Sequence, residues 1–199
     1  MNERRPSIEH AADHAAERPA EPQWVHGHAH EPNSETPAGD GSFMVHAAGK
    51  QIAVTLPDLA ALPYVEASGC LIISTGHGTS GPFTFGGVRL RDLLAWVLSQ
   101  AANGGNGSEG DGSIGSAPGE GSRLWQHVDV VSADGFGTRV YPHDLDEAPD
   151  NDSGRPVLLA YRMDGAPLSR RQGLVRLVVP SEVDDALRQV KWVAAVRVF

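Results

Sequence analysis

Apolar positions are sparse at the start of the chain and change period several times after it. Residues 1–42 alternate Ala, Glu, Pro and His, with few large apolar side chains beyond Trp24 and Val25. Such a segment buries too little surface to offset its ordering entropy, so 1–42 is expected to be a disordered tail. From Phe43 the pattern becomes that of strands. FMVHAAGKQIAVTL predicts two short strands around a turn at Gly49-Lys50, and the run Leu56–Pro63 predicts a short helix closed by Pro63. Cys70–Ser74 is a continuous β-branched run that suits a buried strand. Phe83-Thr84-Phe85 predicts a strand with both aromatics on one face, and Gly86-Gly87 a turn. From Val88 the spacing of Leu90, Leu93, Leu94, Val97 and Leu98 is helical, with Arg89, Arg91 and Asp92 opposite.

Residues 103–122 are rich in Gly with Ser, Asn, Asp and Glu, which predicts a flexible insertion within the folded part. Beyond it, Leu124–Val131 and Thr138–Tyr141 flank the turn Ala133–Phe136 as a hairpin. A helical turn is expected at His143–Glu147. Val157–Met163 and Leu174–Pro180 are strands separated by a turn at Asp164–Leu168, and residues 181–189 suit another helical turn. Val190, Trp192, Ala194, Val196 and Val198 then alternate with polar positions, predicting a last half-buried strand. The sum is about eight or nine short strands with two short helices, an α+β, mostly-β domain over 43–199.

Composition narrows the partners. The formal net charge is -9 and the pI about 5.4, which argues against a nucleic-acid binder or an electrostatic membrane binder. One cysteine excludes an intramolecular disulfide. No apolar window approaches the ~18 residues of a membrane span. Arg4 and Arg5 are not followed by an apolar segment, so no secretory or twin-arginine signal is read and the expectation is cytoplasmic.

Candidate chemistry gathers in Cys70–Leu94. Cys70 is either a small apolar residue in a buried strand or a soft thiolate ligand. The loop Ser74–Gly81 offers backbone N–H groups and hydroxyls, Thr79 and Ser80 among them, that suit an oxyanion or phosphate, with His77 beside them. As an alternative it is a glycine-rich turn with a solvent-facing His. It precedes no helix and ends without Lys, so it is not a P-loop. Arg89, Arg139, Arg170, Arg171, Arg176 and Arg188 are candidate anion clamps or plain surface residues. Arg176 and Lys191 are the preferred pair. His26, His28 and His30 form a tract that is either a metal site or a solvated tail. Asp134 and Asp164 precede Gly in turns, which accounts for them without catalysis.

Five motifs stand in order. They are Gly87-Val88-Arg89-Leu90-Arg91-Asp92-Leu93-Leu94, Ser132-Ala133-Asp134-Gly135-Phe136, Leu159–Leu168 (LAYRMDGAPL), Gly173–Pro180 (GLVRLVVP) and Val190-Lys191-Trp192-Val193. Together they resemble the sulfite oxidase family, the oxidoreductase molybdopterin-binding domain. The chain departs from that pattern at Leu71-Ile72-Ile73, where polar residues usually follow the cysteine, and at Arg171–Val175, which lacks the family's His and Pro. The resemblance implies a sulfite oxidase-like fold and a molybdenum–molybdopterin cofactor. Cys70 would be the metal ligand and the catalytic centre, and His77, Thr79, Ser80, Arg176 and Lys191 would contact the cofactor. It implies oxygen-atom transfer or related two-electron chemistry on a small molecule or anion, with an external redox partner. The alternative is a non-catalytic domain of the same fold that binds a small ligand or a protein partner.

Overall fold

The computed structural model describes residues 35–74, 78–103, 125–145, 156–181 and 188–199. The His tract, His77, most of the Gly-rich insertion and the expected turn at 181–189 fall largely or wholly outside them. The described residues form two five-stranded sheets. The first runs in the order β2 (Lys50–Val54), β1 (Phe43–Ala47), β10 (Val193–Val198), β5 (Val128–Ser132), β6 (Gly137–Val140), with β1 and β10 parallel and the other pairs antiparallel. The second runs β3 (Tyr64–Ser74), β4 (Gly78–Arg89), β7 (Leu158–Met163), with both β8 (Ala166–Pro167) and β9 (Arg176–Val178) on the far edge of β7.

Two helices join the sheets. α1 (Leu56–Ala60) starts at a capping box in which Thr55 and Asp58 exchange side-chain and backbone hydrogen bonds, and it buries Leu59. α2 (Leu90–Asn103) buries Leu90, Leu93, Leu94 and Val97, the stripe expected from the sequence spacing. Its last turn is met by Lys50, whose ammonium donates to Ala101 O, a favourable place for a cation. The main core combines these helix residues with Val45, Val128, Val130 and Val196 of the first sheet and Val88, Leu159 and Leu177 of the second. A second, smaller core holds Ala67, Cys70, Phe85, Leu158, Ala160, Leu168 and Val178. Leu158 and Leu159 therefore face opposite cores, as alternation along a strand requires.

Several expectations shift. Gly86-Gly87 is not a turn. β4 continues through it with a register shift against β7 between the two glycines; the Tyr64 side chain lies over Gly86 and the Leu159–Ala160 backbone packs against Gly87, so the glycines permit close approach. α2 accordingly begins at Leu90 rather than Val88. β3 starts six residues before Cys70, at Tyr64. The last strand begins at Val193, since Trp192 has φ 48 and the register shifts between Val193 and Ala195. Val190, Val193 and Val196 are consequently the buried positions, not the strict alternation the sequence implied. Contacts to the fold also begin before Phe43: Arg170 Nη1 donates to Pro37 O at 3.3 Å, and Gly41 packs between Leu56 and Leu174.

Candidate functional site

The central strands carry the candidate residues to two places. Cys70 lies on β3 opposite Phe83, with register shifts on either side of it. Its side chain is fully buried among Ala67, Phe85, Leu158, Ala160, Leu168 and Val178, and its thiol donates to Ala67 O at 3.3 Å. Arg176 opens β9 on the same face, since Val178 two residues on is in that core. Its guanidinium carbon sits 5.1 Å from the Phe85 ring centroid, a cation–π contact. Nη2 donates to Gln189 Oε1 at 3.3 Å, and Gln189 Nε2 donates to Leu71 O at 3.2 Å, so the buried Gln189 ties β9 to β3. Arg176 is only 3% exposed, and its Nε has no hydrogen-bond partner among the described residues. Burial pushes the guanidinium down to about 10, with the nearby Cys70 acting weakly the other way.

Two backbone bonds bring a second cation alongside. Leu177 N–H donates to Val190 O, and Val193 N–H donates to Val175 O. They bracket Lys191 and Trp192 beside Arg176. The Lys191 ammonium lies 5.5 Å from the Trp192 ring centroid. Its pKa is lowered by partial burial, then by Arg176 and Arg171, against which Asp134 is the opposing charge. Arg171, Arg176 and Lys191 thus form a cationic group, two of its members flanking the same β9–β10 joint.

The other sequence candidates are elsewhere. Thr79 and Ser80 are exposed near the tip of the β3–β4 hairpin, away from any contact with Arg176 or Lys191 that the structure shows, and His77 lies outside the described residues. Arg139 is committed to Asp129 through two bonds of 2.7 and 3.0 Å, and Arg188 to Asp144 at 2.7 Å. Neither is available as an anion clamp. Phe85, Trp192 and Gln189 are the participants that sequence reading did not single out. Phe85 was visible in a predicted strand and Trp192 in a motif, but neither carried a charge to mark it. Nothing local distinguishes Gln189, which becomes a link only when β3 folds over β9.

A family model described as the oxidoreductase molybdopterin binding domain matches residues 42–199. The chain belongs to that family. No curated protein matches the sequence. The chain's fold is similar to that in the crystal structure of the sulfane dehydrogenase SoxCD from Paracoccus pantotrophus. The TM-score is 0.54 at 18% identity, over 83% of this chain and 40% of that one. The likeness shows the fold, the mostly-β architecture expected from the strand pattern and the sulfite oxidase-like fold implied by the motif resemblance, and this chain covers 40% of the SoxCD chain it matches. No helix among the described residues is long and apolar enough to cross a membrane.

The family implies a molybdopterin cofactor, and Cys70 is the chain's only cysteine for its metal. In this structure the sulfur does not fit that role. A ligating thiolate must face the metal, whereas Cys70 has no exposed surface, packs on six apolar side chains and gives its thiol proton to a backbone carbonyl. The cations do fit an anion: a buried guanidinium whose Nε has no partner among the described residues and a lysine held below its usual pKa by burial and then by positive neighbours are both stabilised by negative charge.

Proposed function

We propose that this chain is a non-catalytic member of its family, a domain that binds a small anion beside Arg171, Arg176 and Lys191 and holds no metal through Cys70. The observation that carries this reading is Arg176. A guanidinium this buried normally has a carboxylate or a full set of hydrogen bonds, and here Gln189 supplies one long bond. Of the two exposed members, Arg171 and Lys191, the Lys191 ammonium is the one on the segment hydrogen-bonded beside Arg176. It receives the ligand, and Arg176 supplies positive potential from behind, where low dielectric strengthens it. Cys70 packs the wall that keeps Arg176 dry.

An amide NMR titration of the full chain with inorganic phosphate tests this. Saturable shifts are expected at Leu177, Lys191, Trp192 and Val193, lost in Lys191→Ala and weakened in Arg176→Met. Small, uniform, non-saturating shifts would mean there is no site.

The competing reading is a molybdopterin-dependent oxidoreductase with Cys70 on molybdenum, an anionic or other small substrate and an external redox partner. Family membership favours it, as does the proximity of the buried cation to Cys70. It requires the apolar layer around Cys70 to open. Metal content separates the two readings.

A further inference from the structure

A cleft of about 230 Å³ is lined in part by Trp192, Val193 and Ala194, the residues that follow Lys191. Its walls include Phe43, Met44, Leu174, Trp192 and Ala194, and its edge includes Pro37 and Gly173. Two of these wall residues, Leu174 at φ 54 and Trp192 at φ 48, hold the left-handed backbone that bulky side chains rarely adopt. Such conformations persist only where the surroundings impose them, and they concentrate at ligand clamps.

The rim is charged on one side. Lys191 backs directly onto Gly173, where an added Cβ would meet the Lys191 Cα and Cβ at 3.3 and 3.2 Å. The Arg170 guanidinium rests on Pro37 O, and Trp192 Nε1 donates to Arg170 O at 2.6 Å. Arg171 and Arg176 lie within electrostatic reach of Lys191. Arg176 is buried in the smaller core, so the cations around the cleft are Lys191, Arg170 and Arg171, and against them stand Asp134 near Lys191 and Asp40 near Arg170. The rim is net positive while the floor is apolar.

We infer that the ligand of this domain is an amphiphilic anion, a carboxylate on a short alkyl chain or single ring, with its head at Lys191 and its body in the Leu174–Trp192 cleft. The inference rests on the anion-binding reading and adds the apolar body. The cleft is smaller than the roughly 300–1,000 Å³ of drug-sized sites, which favours a short chain over a fused-ring body.

The experiment is calorimetric titration of the full chain with butanoate, hexanoate and octanoate, with 1-hexanol and phosphate as controls. Affinity is expected to rise about four-fold per added methylene until the cleft is filled, with hexanoate tighter than 1-hexanol. Leu174→Gly relieves the left-handed backbone, so it should fold at least as stably and yet flatten the chain-length dependence. Ala194→Phe should do the same by filling the cleft. Phosphate binding with no chain-length dependence overturns the amphiphile and leaves the anion site. Binding of neither phosphate nor carboxylates overturns both. Chain-length dependence unchanged in Leu174→Gly and Ala194→Phe places the apolar body elsewhere and also overturns the inference.

Discussion

Arg176 shows how one residue's surroundings can matter more than its motif. Its pKa, pushed down to about 10 from the ordinary guanidinium range by burial, means that folding disfavours its charged form by about 3 kcal/mol. The group's folded pKa is lowered, so the cost is fully present below about pH 10 and relieved only as pH rises from there toward the ordinary guanidinium range. At neutral pH Arg176→Met should therefore stabilise the fold, by about 1–3 kcal/mol in urea denaturation. A loss of stability would mean that the guanidinium already has its counter-charge. Lys191 has the same sign: its pKa is lowered in the folded chain, and a bound anion restores it. Phosphate affinity should fall as pH rises through the lowered Lys191 value, and Lys191→Arg should keep its affinity there. An identical fall in Lys191→Arg would assign the titration to another group. Arg176 and Lys191 were both legible in the sequence as the preferred cations. The burial of Cys70 was legible as one of two alternatives, because a β-branched run around a cysteine describes a packed strand.

At the scale of elements, glycine placement explains both what was readable and what was not. Glycine pairs ordinarily mark turns, and Gly86-Gly87 sits between an aromatic strand and a helical stripe. Only the tertiary neighbours reveal a strand crossing, with Tyr64 over one glycine and the β7 backbone against the other. The two positions should respond differently to alanine. At Gly87 the new methyl meets the Leu159–Ala160 backbone, which cannot yield, so Gly87→Ala should cost about 3 kcal/mol. At Gly86 it meets the exposed Tyr64 side chain, which can rotate away, so Gly86→Ala should cost about 1 kcal/mol or less. Equal thermal shifts for the two variants would contradict the strand pairing. The α2 stripe, the Gly49-Lys50 hairpin and the Asp164-Gly165 turn were legible because their signals are local. The late start of β10 was not, since it depends on the left-handed Trp192 and on two bonds to β9.

For the molecule as a whole, the family and the fold agree while the expected metal ligand points inward. Five weak motifs in order identified the architecture because they punctuate strands and turns that the fold needs whatever its function. They say less about the site, since the cysteine region is where the chain departs from the family pattern. The two-core arrangement makes the consequence concrete. Cys70 and Phe85 build the smaller core, Arg176 is trapped against it, and Lys191 carries the charge to the surface beside an apolar cleft. The central claim is that Cys70 packs this core and holds no metal. Elemental analysis of the full chain, purified from a host that makes the molybdenum cofactor, tests it most directly, with Cys70→Ala analysed in parallel. The account predicts molybdenum far below one equivalent per chain and no difference between the two proteins. Stoichiometric molybdenum in the wild type that disappears in a folded Cys70→Ala would contradict it.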